Sequence, residues 1–430
     1  MILSVRVNNF LVYSNAVELS AKADMHIKKF SDNVYKSKNF SILKSICIYG
    51  ANNSGKTCLI RAINSIKNVL LGIVAEVPPN IFTDDATCSL GISFVEGERS
   101  FSYDFKYDSF IENGYKHGFV YECMKELFVD KYGNYSEKEL FVRDVLNNKY
   151  RFAEDEDLSK VLGLVSNDNI LIYTINTGKY PVVEKYKKVL RDFAENIDIL
   201  DMNNIPIAKT ISALKNNEKI KDKTVELIKL ADLDIDDYRY VNNDQTNVAS
   251  NESDGPKPQE EILKNAISVE DMFRLVSIHK GKTVQSLSFD STGTKKIVAV
   301  ASYVVDALFS GKTLIIDELD SSFHFKLTRA IVSLFNNKLN NGAQLIFTAH
   351  DVTLLDCKKL FRKDQIWFAS KDFNSEYLYS LDDFTAQEDK IRSETDLFEK
   401  YNSGVLGAVP EPDLISILLS NSTEEKKNNG

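Results

Sequence analysis

Apolar residues along this chain follow two rhythms, and the changes between them mark out its elements. Ile2, Leu3, Val5 and Val7 open a strand-like alternation over residues 1–20, with Asn8-Asn9-Phe10 as a turn. Ile46-Cys47-Ile48-Tyr49 is a short unbroken apolar run suited to a buried strand. From Cys58 to Leu70 the positions Leu59, Ile60, Ile63, Ile66, Val69 and Leu70 have helical spacing. Between Cys88 and Val129 short β-like runs return, at Leu90–Val95, Ser100–Phe105 and Gly118–Tyr121. Gly97 and Gly114 punctuate them, which predicts an antiparallel meander. From about 155 to 238 the texture becomes helical, as in Val182–Ile197 and Thr224–Leu233. Asn242–Pro258 is polar and reads as a linker. Strands and helices then alternate: helix Ile297–Leu308, strand Thr313–Ile316, helix Lys326–Phe335, strand Gln344–Phe347 and strand Gln365–Phe368. That order predicts an α/β fold, and the Glu-Glu-Lys-Lys-Asn-Asn ending a frayed tail.

One segment between the first apolar strand and the first helix carries chemistry. Residues 50–57 read Gly-Ala-Asn-Asn-Ser-Gly-Lys-Thr, the G-x-x-x-x-G-K-T phosphate-binding loop. Gly50 and Gly55 let the backbone curl around phosphate oxygens, so that the N–H groups of Asn52, Asn53, Ser54 and Gly55 form an anion nest at a helix N-terminus. Lys56 is expected to reach the β- and γ-phosphates, and the Thr57 hydroxyl to ligate Mg²⁺. The strand before and the helix after make a chance match a poor explanation. The chain is therefore expected to bind ATP with Mg²⁺.

Leu314-Ile315-Ile316-Asp317-Glu318 has the form of a buried parallel strand ending in two acids. Asp317 is expected to hold Mg²⁺, and Glu318 to act as general base on the attacking water. Asp320 follows in a loop expected at a dimer interface and on the nucleotide. Another apolar strand, Gln344–Phe347, runs into Thr348-Ala349-His350-Asp351. An isolated histidine there would read as a surface imidazole; after the strand following the acid pair it reads as a γ-phosphate sensor. Since Thr57 and Asp317 lie 260 positions apart, a large insertion splits the nucleotide fold.

Composition narrows the setting. A chain of 430 residues, 43% hydrophobic, can bury a large core and hold two or three domains. A net charge of −9 gives no overall nucleic-acid signature. The five cysteines include no C-x-x-C pair, which argues against a zinc site or disulfide framework and for a reducing cytoplasm. The N-terminus lacks a signal-peptide pattern and no window resembles a membrane span, so a soluble protein is expected. The basic residues Lys185, Lys187, Lys188, Arg191, Lys209, Lys215, Lys219, Lys221 and Lys223 read first as solvated helical faces, with DNA or a partner surface as the alternative.

Upstream of the acids, Asp290-Ser291-Thr292-Gly293-Thr294 leads into an apolar helix. The bland reading is a helix N-cap. A serine and glycine there can also bind an anion. With a phosphate loop already present, such a cap would serve the nucleotide of another subunit.

The ordered set of phosphate loop, Ser-x-Gly cap, Asp-Glu pair, Asp320 and His350 resembles the ATP-binding-cassette ATPases. More narrowly, Val7–Phe10, Ile48–Thr57, Asp290–Thr294, Ile316–Asp320, Phe347–Asp351, Asp364–Phe368 and Gly404–Pro410 resemble the stand-alone AAA-annotated ATPases of bacterial anti-phage defence. These form the RloA/AbiLi-like group, related to the ATPase subunits of PARIS and Septu systems. The likeness spans both lobes, and the insertion matches only in character. The cap departs from the transporter pattern Leu-Ser-Gly-Gly-Gln. No residue is assigned to the glutamine that couples the lobes, or to the adenine ring.

The resemblance implies an ABC-type (SMC/OLD-like) head: an N-terminal ATPase lobe (1–150), a helical insertion with linker (151–262), a C-terminal ATPase lobe (263–390) and a tail (391–430). It implies a homodimer sandwiching two ATP, with Lys56, Thr57, Asp317, Glu318 and His350 in cis and Ser291 and Gly293 in trans. It further implies a sensor or scaffold that controls a separately encoded nuclease or toxin from a neighbouring gene, with a phage-derived trigger, in abortive infection. The alternative is an SMC/OLD-like ATPase of DNA repair or processing. A long heptad arm or zinc hook, expected for SMC proteins, is missing from the sequence. Only Asp382-Asp383 could stand in for a C-terminal nuclease acid set, so no intrinsic nuclease is expected.

Overall fold

Five nearly continuous apolar strands lie side by side and parallel, in the order Ile197–Asp201, Thr313–Asp317, Gln344–Thr348, Ser45–Tyr49 and Ile366–Asp372. Ser375–Ser380 closes the edge antiparallel. Their alternate side chains enter two different cores, which is why no polar face interrupts the three central runs. Ile46, Ile48, Ile315, Ile346, Trp367 and Ala369 face one core, together with Leu59, Ile63 and Ile66 of the helix Lys56–Leu70. Cys47, Tyr49, Leu314, Ile316, Leu345, Phe347, Ile366 and Phe368 face the other, packed by the helices Thr292–Ser310 and Phe325–Phe335. These statements refer to a computed structural model, which describes residues 1–73, 75–112, 115–129, 134–176, 178–216, 218–231, 234–241, 269–321, 323–372, 375–384 and 395–407.

The first core is closed by a seven-stranded antiparallel sheet that contains the expected meander. Ile2–Asn8 pairs with Val17–Ser20 on one side and Thr87–Glu96 on the other. Arg99–Glu112, Tyr115–Val129, Tyr135–Asp144 and Lys149–Phe152 continue the order. Gly97 makes the turn with φ 59°; Gly114 lies outside the described residues. Fully buried Gln344 ties the two sheets together. Its Oε1 accepts from Ile2 N (2.8 Å), and its Nε2 donates to the carbonyls of Ile2 (3.0 Å) and Leu43 (3.1 Å). Inside the antiparallel sheet the Arg143–Glu122 ion pair is fully buried at 2.5 Å. Arg143 also donates to the carbonyls of Ser166 (3.0 Å) and Asn169 (3.2 Å), and so moors the loop that follows.

Within 151–262 the expected helices are present as Pro181–Glu195, Ala208–Asn216 and Glu218–Leu230. Between them, however, Ile197–Asp201 is a strand of the parallel sheet, beside the acid strand. The helical reading carried through Ile197; instead the helix stops at Glu195, and the Asn196 carbonyl accepts from Thr313 N at 2.9 Å. Beyond that strand the two later helices pack with the helix Thr292–Ser310 and a three-stranded sheet of Asp237–Tyr240, Leu275–His279 and Lys282–Gln285. They form a third core around Ile211, Leu214, Ile228, Tyr238 and Val298. The cap helix is therefore buried on two sides, matching the largely apolar stretch Ile297–Leu308 within it. The polar stretch 242–258, residues 408–410 and the ending expected to fray fall outside the described residues. No helix among the described residues is long and apolar enough to cross a membrane.

Candidate nucleotide site

The phosphate loop sits at the C-terminal end of Ser45–Tyr49 and runs directly into Lys56–Leu70. Both bracketing glycines are required by space. A Cβ on Gly50 would lie 2.2 Å from the Ala369 carbonyl oxygen and 2.5 Å from Ser54 Oγ. Gly55 has φ 100°, and a Cβ there would lie 2.9 Å from Tyr13 Oη. Tyr13 is fully buried beneath the loop and donates to the Gly55 carbonyl at 3.0 Å. Asn53 adopts φ 64°, a left-handed turn that an asparagine tolerates. Ser54 Oγ is buried with no hydrogen-bond partner, a polar atom held ready inside the cradle. Lys56 is also buried, its Nζ 2.7 and 2.8 Å from the carbonyls of Gly50 and Ala51. Burial pulls its ammonium below the usual lysine range, opposed by the negative charges of Asp317, Glu318 and Asp320.

The second half of the site arrives from the neighbouring strands. Thr57 Oγ1 donates to Asp317 Oδ2 at 2.8 Å, across the 260 positions that separate them. The other carboxylate oxygen, Oδ1, accepts from Thr348 Oγ1 at 2.6 Å, and the same threonine oxygen accepts from Glu318 N at 2.7 Å. Thr348 is completely buried and fixes both acids. Glu318 needs this support because its φ is 57°, a region costly for a side chain other than glycine. Its carboxylate lies 3.8 Å from His350 Nε2 and accepts from Asn203 Nδ2 at 3.3 Å. Asn52, Asn53, Ser54, Gly55, Lys56, Thr57, Cys58, Arg61, Glu318 and His350 line one cavity of about 450 Å³.

The glycine cradle, the orphaned Ser54 hydroxyl and the buried ammonium fit a phosphate chain. Thr57 and Asp317, already in contact, fit a hard cation. Bound there, Mg²⁺ would supply charge neutralisation and polarisation of the phosphate oxygens. The chain's own groups set the rest. Lys56 places an ammonium, Glu318 a carboxylate and His350 an imidazole at the wall of the same cavity.

The remaining expected site residues lie elsewhere. Asp320 does not line the cavity. Its Oδ2 accepts from the backbone N–H groups of His350 (2.7 Å) and Asp351, so it positions the histidine loop. Ser291 and Gly293 begin the helix Thr292–Ser310 on the third core and also stand outside the cavity. Ser291 Oγ accepts from Thr294 N at 3.1 Å, and Ser291 is exposed. Thr348, Asn203, Tyr13 and Arg61 were not singled out from sequence. Thr348 looked like the end of an apolar run, and Asn203 follows a strand that was read as helix. Several of the basic residues are neutralised: Lys185 by Glu154, Arg191 by Glu195, Lys209 by Asp198 and Asp306, Lys215 by Asp271, and Lys223 by Glu226. Asp383 caps the Ser380 N–H, and the described residues contain no cluster of three or more His, Cys, Asp or Glu placed to hold a metal.

A phosphate loop and an acid strand joined across one intervening strand, with an antiparallel sheet over one face, define a P-loop nucleotide-binding head. Over residues 45–356 the sequence matches the family described as "AAA domain, putative AbiEii toxin, Type IV TA system", and the chain belongs to that family. No curated protein matches it. Among solved structures it is similar to the SMC head domain from Thermotoga maritima, at 11% identity over 88% of this chain and 98% of that one, TM-score 0.39. It is also similar to an SmcHead bound to the C-winged helix domain of ScpA, at 12% identity over 88% and 97%, TM-score 0.44. A third is an Smc head with an extended coiled coil bound to the C-terminal domain of ScpA derived from Pyrococcus furiosus, at 12% identity over 93% and 99%, TM-score 0.38.

Proposed function

We propose that this chain is a slow, Mg²⁺-dependent ATPase whose ATP-bound form is a homodimer, and that the dimer governs a separately encoded effector. One observation carries the dimer. Lys56, Thr57, Glu318 and His350 line one cavity, with Asp317 bonded to Thr57, whereas the exposed Ser291 lines no part of it. A second copy, related by a twofold axis, would bring its cap over this cavity and receive the first copy's cap in return. Glu318 would act as general base, His350 would read the terminal phosphate, and ATP would hold the two copies together until hydrolysis.

The family's link to abortive-infection toxin systems supports the wider reading. In it the chain is a cytoplasmic sensor or scaffold of anti-phage defence, and a nuclease or toxin is the companion it restrains or releases. The test is Glu318→Gln, which removes the base and keeps the shape. With ATP and Mg²⁺ it should bind nucleotide, turn over at least about 100-fold more slowly and run as a dimer by light scattering. Undiminished turnover, or a monomer at saturating ATP, would refute the assignment.

A further inference from the structure

Asp290 immediately precedes the Ser291 cap, and its carboxylate points into the protein. The side chain is completely buried. Its Oδ1 accepts from Ser277 Oγ at 2.8 Å and lies 3.2 Å from His279 Nε2, while its Oδ2 is buried with no partner. His279 is held at both ring nitrogens: Nε2 is also 3.1 Å from Ser277 Oγ, and Nδ1 is 3.0 Å from the Asp234 carbonyl. A buried carboxylate satisfied on one oxygen is costly, and stability alone does not select it. Its position explains it better.

Ser277 and His279 are alternate residues of Leu275–His279, the central strand of the small sheet, so they present one face to Asp290. The backbone leading to the cap is fastened to the same body. Asp290 N donates to the Ser286 carbonyl at 3.0 Å, Ser286 Oγ accepts from Tyr238 Oη at 2.7 Å, and Lys295 Nζ donates to the Leu287 carbonyl at 2.6 Å. Asp290 is the last of these anchors before Ser291.

We propose that Asp290, locked by Ser277 and His279, is the positioning residue of the cap. It fixes the backbone from which Ser291 and Gly293 are offered to the nucleotide of a second copy. Groups that act on a phosphate have to be placed within about half an ångström, and a tether one residue away provides that. The small sheet thereby becomes the lever through which a displacement elsewhere reaches the composite site. The inference rests on the reading that the cap acts in trans.

The experiment compares Asp290→Ala, Ser277→Ala, Asp290→Asn and Ser291→Ala in the full chain. Binding of a fluorescent ATP analogue, ATP-dependent dimerisation and hydrolysis are each measured. Asp290→Ala and Ser277→Ala should leave analogue affinity within about twofold, weaken the dimer and lower kcat roughly 10- to 100-fold, the size of effect expected from a small misplacement. Asp290→Asn keeps the oxygen that accepts from Ser277 and should retain most activity. Mixing Asp290→Ala with Lys56→Ala should restore activity, because one composite site then pairs an intact loop with an intact cap. Mixing Asp290→Ala with Ser291→Ala should restore none. If Ser291→Ala is impaired while Asp290→Ala and Ser277→Ala behave as wild type, the positioning role falls alone. A parallel loss of analogue affinity, or no recovery with Lys56→Ala, also overturns it. If Ser291→Ala dimerises and hydrolyses normally, the trans cap itself fails and takes this proposal with it.

Discussion

Replacing Thr348 by valine removes one hydroxyl and preserves the side chain's volume. That hydroxyl donates to the Asp317 carboxylate at 2.6 Å and accepts from the Glu318 N–H at 2.7 Å, in a position with no access to water. A hydrogen bond to an ionised group contributes about 1.5–3 kcal/mol, and the bond from the N–H about 1 kcal/mol. Neither partner can turn to solvent, so Thr348→Val should lower the unfolding free energy by about 3 kcal/mol in urea denaturation. The same change frees Glu318 from the bond that supports its φ of 57° and leaves Asp317 Oδ1 without its donor. If about 2.7 kcal/mol of that organisation is needed in the transition state, kcat falls about 100-fold. Binding of the ATP analogue should change far less, because Lys56 and the loop are untouched. Thr348→Ser keeps both hydrogen bonds and should cost about 1 kcal/mol for the lost methyl, with kcat within a few-fold of wild type. A Thr348→Val protein that hydrolyses ATP within threefold of wild type would refute the claim that this threonine organises the acids.

Gly55→Ala should abolish analogue binding in titration, since its Cβ would meet Tyr13 Oη at 2.9 Å with φ at 100°; affinity within threefold of wild type would refute the steric argument. Tyr13→Phe removes the bond to the Gly55 carbonyl and should cost about 1 kcal/mol of stability while leaving the loop's shape and analogue binding intact. Arg143→Met strands Glu122 in the core and should cost about 3–5 kcal/mol at pH 7 by urea denaturation. Burial already pushes the Glu122 carboxyl above the usual range, opposed chiefly by Arg143. A group raised in the folded state favours folding at low pH and loses that contribution as pH rises. The stability gap between Arg143→Met and wild type should therefore narrow as pH is lowered from 7 toward about 4.5; a gap that widens would contradict the sign.

What could be read from sequence was what is continuous along the chain. The phosphate loop is eight adjacent residues, and Ile46–Tyr49, Leu314–Ile316 and Leu345–Phe347 announce themselves because both faces of their sheet are buried. Ile197–Asp201 belongs to the same sheet but lies at its edge. Asp198 and Asp201 interrupt its apolar run, and Asp198 is satisfied by Lys209. Coming directly after a good helix, it had no signal to separate it from that helix. Tyr135–Asp144 was missed for a related reason: residues 135–138 are exposed, and among its apolar residues only Leu140, Phe141 and Val142 are buried. The supporting contacts of the site were illegible because each joins distant positions. Thr348 reaches Asp317 across 31 residues, and Asn203 reaches Glu318 across 115.

That distribution bears on how the site works. Glu318 has a strained backbone and four points of support drawn from two segments. Thr348 holds its N–H, the Thr348 carbonyl accepts from Leu319 N at 3.1 Å, Asn203 reaches its carboxylate, and His350 stands beside it. Asn203 and Thr348 lie just past or at the ends of the two strands that flank the acid strand, and His350 follows Thr348 by two residues. A relative shift of those strand ends would disturb Glu318 on both sides at once. Asn203 has a second neighbourhood, since it also lines the cavity of about 270 Å³ under the cap helix with Thr292, Lys295 and Lys296. The stretch that splits the nucleotide fold therefore returns to touch both the Glu318 carboxylate and the helix that Ser291 caps.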